Sequence, residues 1–89
     1  MGTYNDVKTG SEIIRTFESD VNEDELVWHR DQKDRSVVVL EGSEWFFQRD
    51  NEMPINLSVG DSIFIPAGEY HRILKTDNST RLKVKITES

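Results

Sequence analysis

The chain contains two histidines, and one of them, His71, stands inside the stretch Gly60-Asp61-Ser62-Ile63-Phe64-Ile65-Pro66-Ala67-Gly68-Glu69-Tyr70-His71. Gly60-Asp61 breaks the chain, Ser62 to Ile65 reads as a strand, and Pro66 to Gly68 turns it again. His71 then begins another strand, on the same face as Ile73. A proline at a strand end forfeits no ladder bond, and Gly68 can take the positive φ that a reversal needs. If the His71 face is the interior, an imidazole is carried into the core, where it requires a hydrogen-bond partner or a metal ion. A satisfied core histidine and a ligand are equally good readings.

The other candidates are read in the same two ways. His29 lies in a charged segment and can be an exposed strand residue. Asp31 opens a polar tetrapeptide ending at Asp34 that suits a hairpin loop, and Arg35 can pair at the surface with Asp34 or Glu41. Trp45, Phe46 and Phe47 read as core or dimer interface, with one ring, Trp45 being the candidate, available to line a ligand cavity. Tyr70 and Glu69, beside His71, are candidates for ligand contact or acid/base work. No Gly-x-Ser-x-Gly, phosphate loop, His-Glu-x-x-His or dinucleotide fingerprint is present, and with no cysteine thiolate sites and disulfides are excluded.

The elements that must position these residues are short. Leu82, Val84 and Ile86 alternate with Arg81, Lys83 and Lys85, the period of a strand with one buried face. The same period recurs in Ile55 to Val59 and Ile63 to Ile65. Tyr70 to Thr76, Leu26 to Arg30, Val37 to Leu40 and Trp45 to Phe47 also read as strands, and Val37 to Leu40 is apolar on both faces and hence central. Residues 11 to 18 suit a strand or a short helix capped by Ser11. Residues 1 to 10, polar and holding Gly2 and Gly10, are expected to form a flexible N-terminal arm before a single folded domain over residues 11 to 89. Seven or eight short strands between turn signals indicate an all-β, antiparallel sandwich or barrel.

At Gly60, Pro66, Gly68 and His71 the sequence resembles the second motif of the cupin superfamily, with Lys75 where that motif carries asparagine. The first cupin motif is met by His29 and by Gly42, while Glu23, Asp31 and Arg35 stand where the family has a glycine, a second histidine and a glutamate. Trp28, Asp31-Gln32 and Leu40-Glu41-Gly42 match small single-domain cupins. The resemblance spans residues 23 to 87 and implies a single-domain jelly roll; a homodimer is expected, because a domain this small buries a limited share of its surface. In cupins with both motifs intact, three histidines and a glutamate hold a divalent transition metal in the barrel mouth. Here the resemblance implies a set of His29, Asp31 and His71, suited to Fe, Mn, Ni or Zn with positions left open for substrate. Arg35 opposes a cation and favours an anionic ligand.

The chain has 89 residues, 31% of them charged, and a net charge of −6. That balance disfavours nucleic acid and anionic membrane as partners. Met1 to Asp20 lacks the apolar core of a secretory signal and no apolar run approaches spanning length, so a cytoplasmic protein is expected. The function expected is binding of a small polar or anionic molecule in the barrel cavity, with Arg35, His71, Trp45 and Tyr70 as contacts and a divalent metal on His29, Asp31 and His71. The alternatives are a metal-dependent oxygenase, isomerase or lyase, and a structural interaction module.

Overall fold

The structure, a computed structural model, describes residues 3–89. Eight strands follow one another: β1 (Asn5–Thr9), β2 (Glu12–Phe17), β3 (Arg35–Glu41), β4 (Trp45–Arg49), β5 (Ile55–Asn56), β6 (Ser62–Ile65), β7 (His71–Lys75) and β8 (Leu82–Glu88), with a single 3-10 turn at Glu23–Glu25. They form a five-stranded sheet in the order β1-β2-β8-β3-β6 and a three-stranded sheet in the order β5-β4-β7. Every pairing is antiparallel. This is the antiparallel sandwich that the turn-punctuated alternation predicts.

The core sits between the sheets, and β8 shows why. Leu82, Val84 and Ile86 are buried while Lys83 and Lys85 between them are only partly covered, so one face meets the second sheet and the other meets water. Val39 of β3 and Trp45 of β4 are sealed beside them, at 1% and 0% exposure. The indole of Trp45 keeps its polar edge satisfied by donating from Nε1 to the Thr80 carbonyl at 2.6 Å. Burying such side chains stabilises the fold by roughly 1.5–3 kcal/mol each. Gly42 ends β3 because the backbone there runs against β8: at φ 138° its added Cβ would meet Leu82 Cδ1 at 3.0 Å and the Arg81 carbonyl oxygen at 3.2 Å.

Three segments differ from the sequence reading. Residues 5 to 9 are strand β1, paired along its length with β2, rather than a loose arm. Gly10, at φ 59°, makes the tight reversal, and Arg15 staples the pair by donating from Nε and Nη2 to the Asp6 carboxylate at 2.8 and 3.0 Å. Residues 26 to 30 are not a full strand. The acidic run before them forms the 3-10 turn, capped by the Asn22 side chain on the Asp24 N–H at 2.9 Å, and only His29 reaches a neighbour, in an isolated bridge to His71. Finally, Ile55 and Val59 are exposed although Leu57 is buried: Ile55 lies on β5 at the edge of its sheet, and a turn closed by Asp61 on the Ser58 N–H at 2.8 Å ends the alternation before Val59. Among the described residues, no helix is long and apolar enough to cross a membrane.

Candidate functional site

His71 opens β7 facing inward and is buried, at 4% exposure. His29 is brought to it by the isolated bridge: each residue's N–H donates to the other's carbonyl, at 3.0 and 2.9 Å. The two rings stand edge to face with centroids 4.3 Å apart. Two residues beyond His29, Asp31 points to the same side, as strand periodicity requires. The turn before β7 locks the arrangement, since Gly68, at φ 82°, donates its N–H to the Asp31 carbonyl at 2.8 Å. Next to it, the Ala67 N–H donates to Asp34 Oδ1 at 2.8 Å. One ligating atom from each of His29, Asp31 and His71 lies within 4.8 Å of the others. The Ala67 and Gly68 N–H groups of the turn thus dock the two candidate ligand segments together.

The protonation of these groups follows from their partners. Nδ1 of His71 faces the Glu69 carbonyl at 2.9 Å, and Nδ1 of His29 faces the Val27 carbonyl at 3.1 Å. A carbonyl only accepts, so each Nδ1 carries a proton, and in the neutral rings each Nε2 presents a lone pair. His71 is held neutral because its pKa lies below the ordinary value: burial lowers it most, the Glu69 carbonyl opposes this, and His29 lowers it further. Its Nε2 lies 3.4 Å from Asp31 Oδ2. That oxygen is buried and has no hydrogen-bond partner among the described residues. A lone pair and an anionic oxygen therefore face one another with no proton between them, an arrangement that is costly unless a cation completes it.

Arg35 does not act as the free positive charge expected from its position. Its Nε donates to Glu88 Oε2 at 2.9 Å, Nη2 is ion-paired with the same oxygen at 2.8 Å, and Nη1 lies 3.4 Å from Asp31 Oδ1. The hydrogen bond from Arg35 holds the Glu88 carboxyl below its usual range. With both carboxylates counted, the cluster of His29, Asp31, Arg35, His71 and Glu88 is net negative, so Arg35 no longer opposes a metal. Instead it occupies Oδ1 and leaves Oδ2 turned toward the histidines. The expected surface partners Asp34 and Glu41 are not the ones used. Asp34 is engaged by the Pro66–Gly68 turn, and Glu41 is 4.0 Å from Lys83.

The triad stands at the edge of a cavity of about 320 Å³ between the sheets. His29, Asp31, Arg35 and His71 line it together with a mainly apolar wall that includes Phe17, Val37, Phe47, Ile65, Ile73 and Ile86. The ring expected in the cavity is supplied by Phe47, whose centroid lies 5.7 Å from that of His71. Trp45 is not part of the lining; it is sealed in the core. Tyr70 is not part of it either, being 44% exposed with the Arg30 guanidinium 5.2 Å over its ring. Alternation explains this, because Tyr70 precedes the inward His71 and so faces out. Sequence reasoning missed Arg15 and Tyr4, which line the cavity from the first hairpin, and Glu88. The position of Arg15 between the core residues Ile13 and Phe17 is a period-two signal that would have found it.

No family model matches the sequence. The acireductone dioxygenase of Drosophila melanogaster is 46% identical over 59 residues, covering 62% of this chain and 31% of that protein. The acireductone dioxygenase of Drosophila pseudoobscura pseudoobscura is 44% identical over 54 residues, covering 57% and 28%. The chain thus spans about a third of the length of these curated relatives. Among solved structures, the Fe(II) form of HppE superposes with a TM-score of 0.70 at 18% identity, over 97% of this chain and 48% of that one. A cupin-2 domain containing protein from Shewanella frigidimarina gives 0.66 at 18% identity, over 97% and 79%, and a cupin-like protein from Thermotoga maritima gives 0.59 at 17%, over 85% and 53%. These likenesses establish the fold: the chain is a cupin-type jelly roll.

Proposed function

We propose that this cupin-fold chain binds one divalent transition metal through His29 Nε2, His71 Nε2 and Asp31 Oδ2, and uses it on a small molecule held in the adjoining cavity. One observation carries the reading: the buried, unpartnered Asp31 Oδ2 facing His71 Nε2 at 3.4 Å. Two imidazoles and one carboxylate suit Fe, Mn, Ni or Zn and leave coordination positions for substrate. Such an ion supplies Lewis-acid polarisation and, when redox-active, access to dioxygen chemistry. The similarity to acireductone dioxygenases and the fold shared with Fe(II) HppE support oxygenase-type chemistry as the activity.

The chain's own residues have defined tasks in this scheme. The carbonyls of Val27 and Glu69 fix the tautomer of each histidine and aim its lone pair. Arg35, anchored on Glu88, holds Asp31 by the oxygen that does not face the histidines. The apolar walls keep bulk water from the reacting groups and fit the hydrocarbon part of a substrate, while His29, exposed at the mouth, leaves the polar end open to solvent entry. The mainly apolar lining adds an apolar body to the small polar or anionic molecule expected from sequence. Binding of an anion by Arg35 without a metal is disfavoured, because Glu88 and Asp31 already engage that guanidinium.

Elemental analysis after loading with Ni(II) and desalting tests the proposal, comparing the native chain with His71→Ala and His29→Ala. About one equivalent is expected in the native protein and little in either variant. Full retention in both variants, or none in the native chain, would contradict it.

A further inference from the structure

The cavity wall contains two arginines, Arg35 and Arg15, and their hydrogen bonding differs. Arg35 is engaged at Nε, Nη1 and Nη2. Arg15 faces inward from β2, between the buried Ile13 and Phe17, and among the described residues its hydrogen bonds are those from Nε and Nη2 to Asp6, at 2.8 and 3.0 Å. A guanidinium has five N–H donors in one plane. Asp6 uses two of them, so the Nη1 edge remains available. That plane is fixed twice, by the bidentate carboxylate directly across the hairpin and by the Tyr4 ring, whose centroid lies 3.7 Å from the guanidinium carbon.

Arg15 also stands apart from Arg35 along the strands. Its register partner on β8 is Val84, whereas the partner of Arg35 is Glu88. That is four residues, or about 13 Å of strand, and the two arginines lie on opposite sides of β8. The side chain of Arg15 is only 12% exposed, in a wall that is otherwise mainly aliphatic and aromatic. Arginine is rarely covered in this way without a partner for its charge and donors, and Asp6 accounts for one edge alone.

We propose that Arg15 is a specificity-determining residue of the cavity, its open Nη1 edge receiving an oxyanion at one end of a small ligand whose apolar body fills the cavity. The substrate class is then a short-chain molecule with oxygen-bearing groups at both ends, one for the metal and one, a carboxylate or phosphonate, for Arg15. This rests on the metal reading for the first end only. Hydrogen bonding of an oxyanion to a fixed guanidinium is charge-assisted, and loss of such a contact corresponds to about a tenfold or greater fall in affinity.

The test is isothermal titration of the Ni(II)-loaded and the chelator-treated protein with dicarboxylates from succinate to suberate, each against the monocarboxylate of equal length, and with ω-phosphonocarboxylates. In the loaded protein one chain length should bind at least about tenfold tighter than its monocarboxylate partner, and the comparison with phosphonates shows which oxyanion is preferred. Arg15→Gln should abolish the preference while leaving nickel stoichiometry unchanged, and Arg15→Lys should restore part of it. Since Arg15→Gln strands the Asp6 carboxylate, the Arg15→Gln/Asp6→Asn pair is measured beside it and should behave alike. If nickel does not bind but the chelator-treated protein retains an acid affinity that Arg15→Gln removes, the metal reading fails and the assignment of Arg15 stands. No acid binding in either form, equal affinity of the two acid series, or a preference that survives Arg15→Gln overturns the assignment.

Discussion

Asp31→Asn separates the cost of the unpartnered oxygen from its use. The substitution keeps the shape of the side chain and removes its charge. In metal-free protein Arg35 retains its two contacts to Glu88 and gives up only the 3.4 Å approach to Asp31. Meanwhile the new amide can donate to the His71 lone pair that Asp31 Oδ2 now faces at 3.4 Å. One weak ion contact is exchanged for one hydrogen bond, so metal-free stability should change by less than about 1 kcal/mol, in either direction. With metal the variants must diverge. At free metal one hundred times the dissociation constant, the native chain gains about 2.7 kcal/mol, which for a domain of this size raises the melting temperature by roughly 11–22 °C. Removing a hydrogen-bond partner of a metal ligand costs about 10–100-fold in affinity, and removing a ligand atom costs at least the upper end of that range. Asp31→Asn should then gain only about 0.4 kcal/mol at the same metal concentration, a shift of roughly 2–3 °C. Thermal melts followed by circular dichroism, with Ni(II) or with chelator, read both quantities. An equal nickel-induced shift in native and variant, or a metal-free variant that melts many degrees lower, would refute the role assigned to this carboxylate.

Other outcomes follow from the same geometry. Glu88→Gln leaves Arg35 without its full counter-charge and frees it to draw on Asp31, so nickel affinity measured by competition with a chelating dye should fall about tenfold; an unchanged affinity means that the ion pair is surface decoration. Gly42→Ala places a methyl group 3.0 Å from Leu82 Cδ1 at a φ of 138° and should cost about 1–3 kcal/mol, seen as a lower urea midpoint. His71 has a folded-state pKa lowered from 6.5, chiefly by burial. In metal-free protein the unfolded chain takes a proton near that value while the folded chain does not. Stability is therefore complete above about pH 6.5 and declines as pH falls through it toward the folded-state value. His71→Gln should flatten this acid-side decline in urea melts, and a decline of equal size in the variant would assign it to other groups.

Much of this was legible in short-range pattern. The alternation of Leu82, Val84 and Ile86 with lysines marks β8, and the Gly60-Pro66-Gly68-His71 spacing marks the turn that aims His71 inward. The two-residue step from His29 to Asp31 places both on one side even though that segment is not a full strand. What stayed hidden depends on partners distant in sequence. Arg35 finds Glu88, 53 residues away, rather than its local acids, because β3 pairs with β8. The polar residues 5 to 9 gave no hydrophobic signal, yet β2 offers them an edge and Arg15 a charge. Tyr70 and Trp45 show the limit of proximity along the chain. The first sits beside a site residue but on the opposite face, and the second lies one register step beyond the cavity, in the sealed core.

Two imidazoles and one carboxylate should converge on a single ion. A crystal of the nickel-loaded protein, measured at the metal's absorption edge, tests it directly. One anomalous peak is expected within bonding distance of His29 Nε2, His71 Nε2 and Asp31 Oδ2, with Arg35 still seated on Glu88. A peak elsewhere, or an intact His71 to Asp31 contact with no ion beside it at saturating nickel, would contradict it.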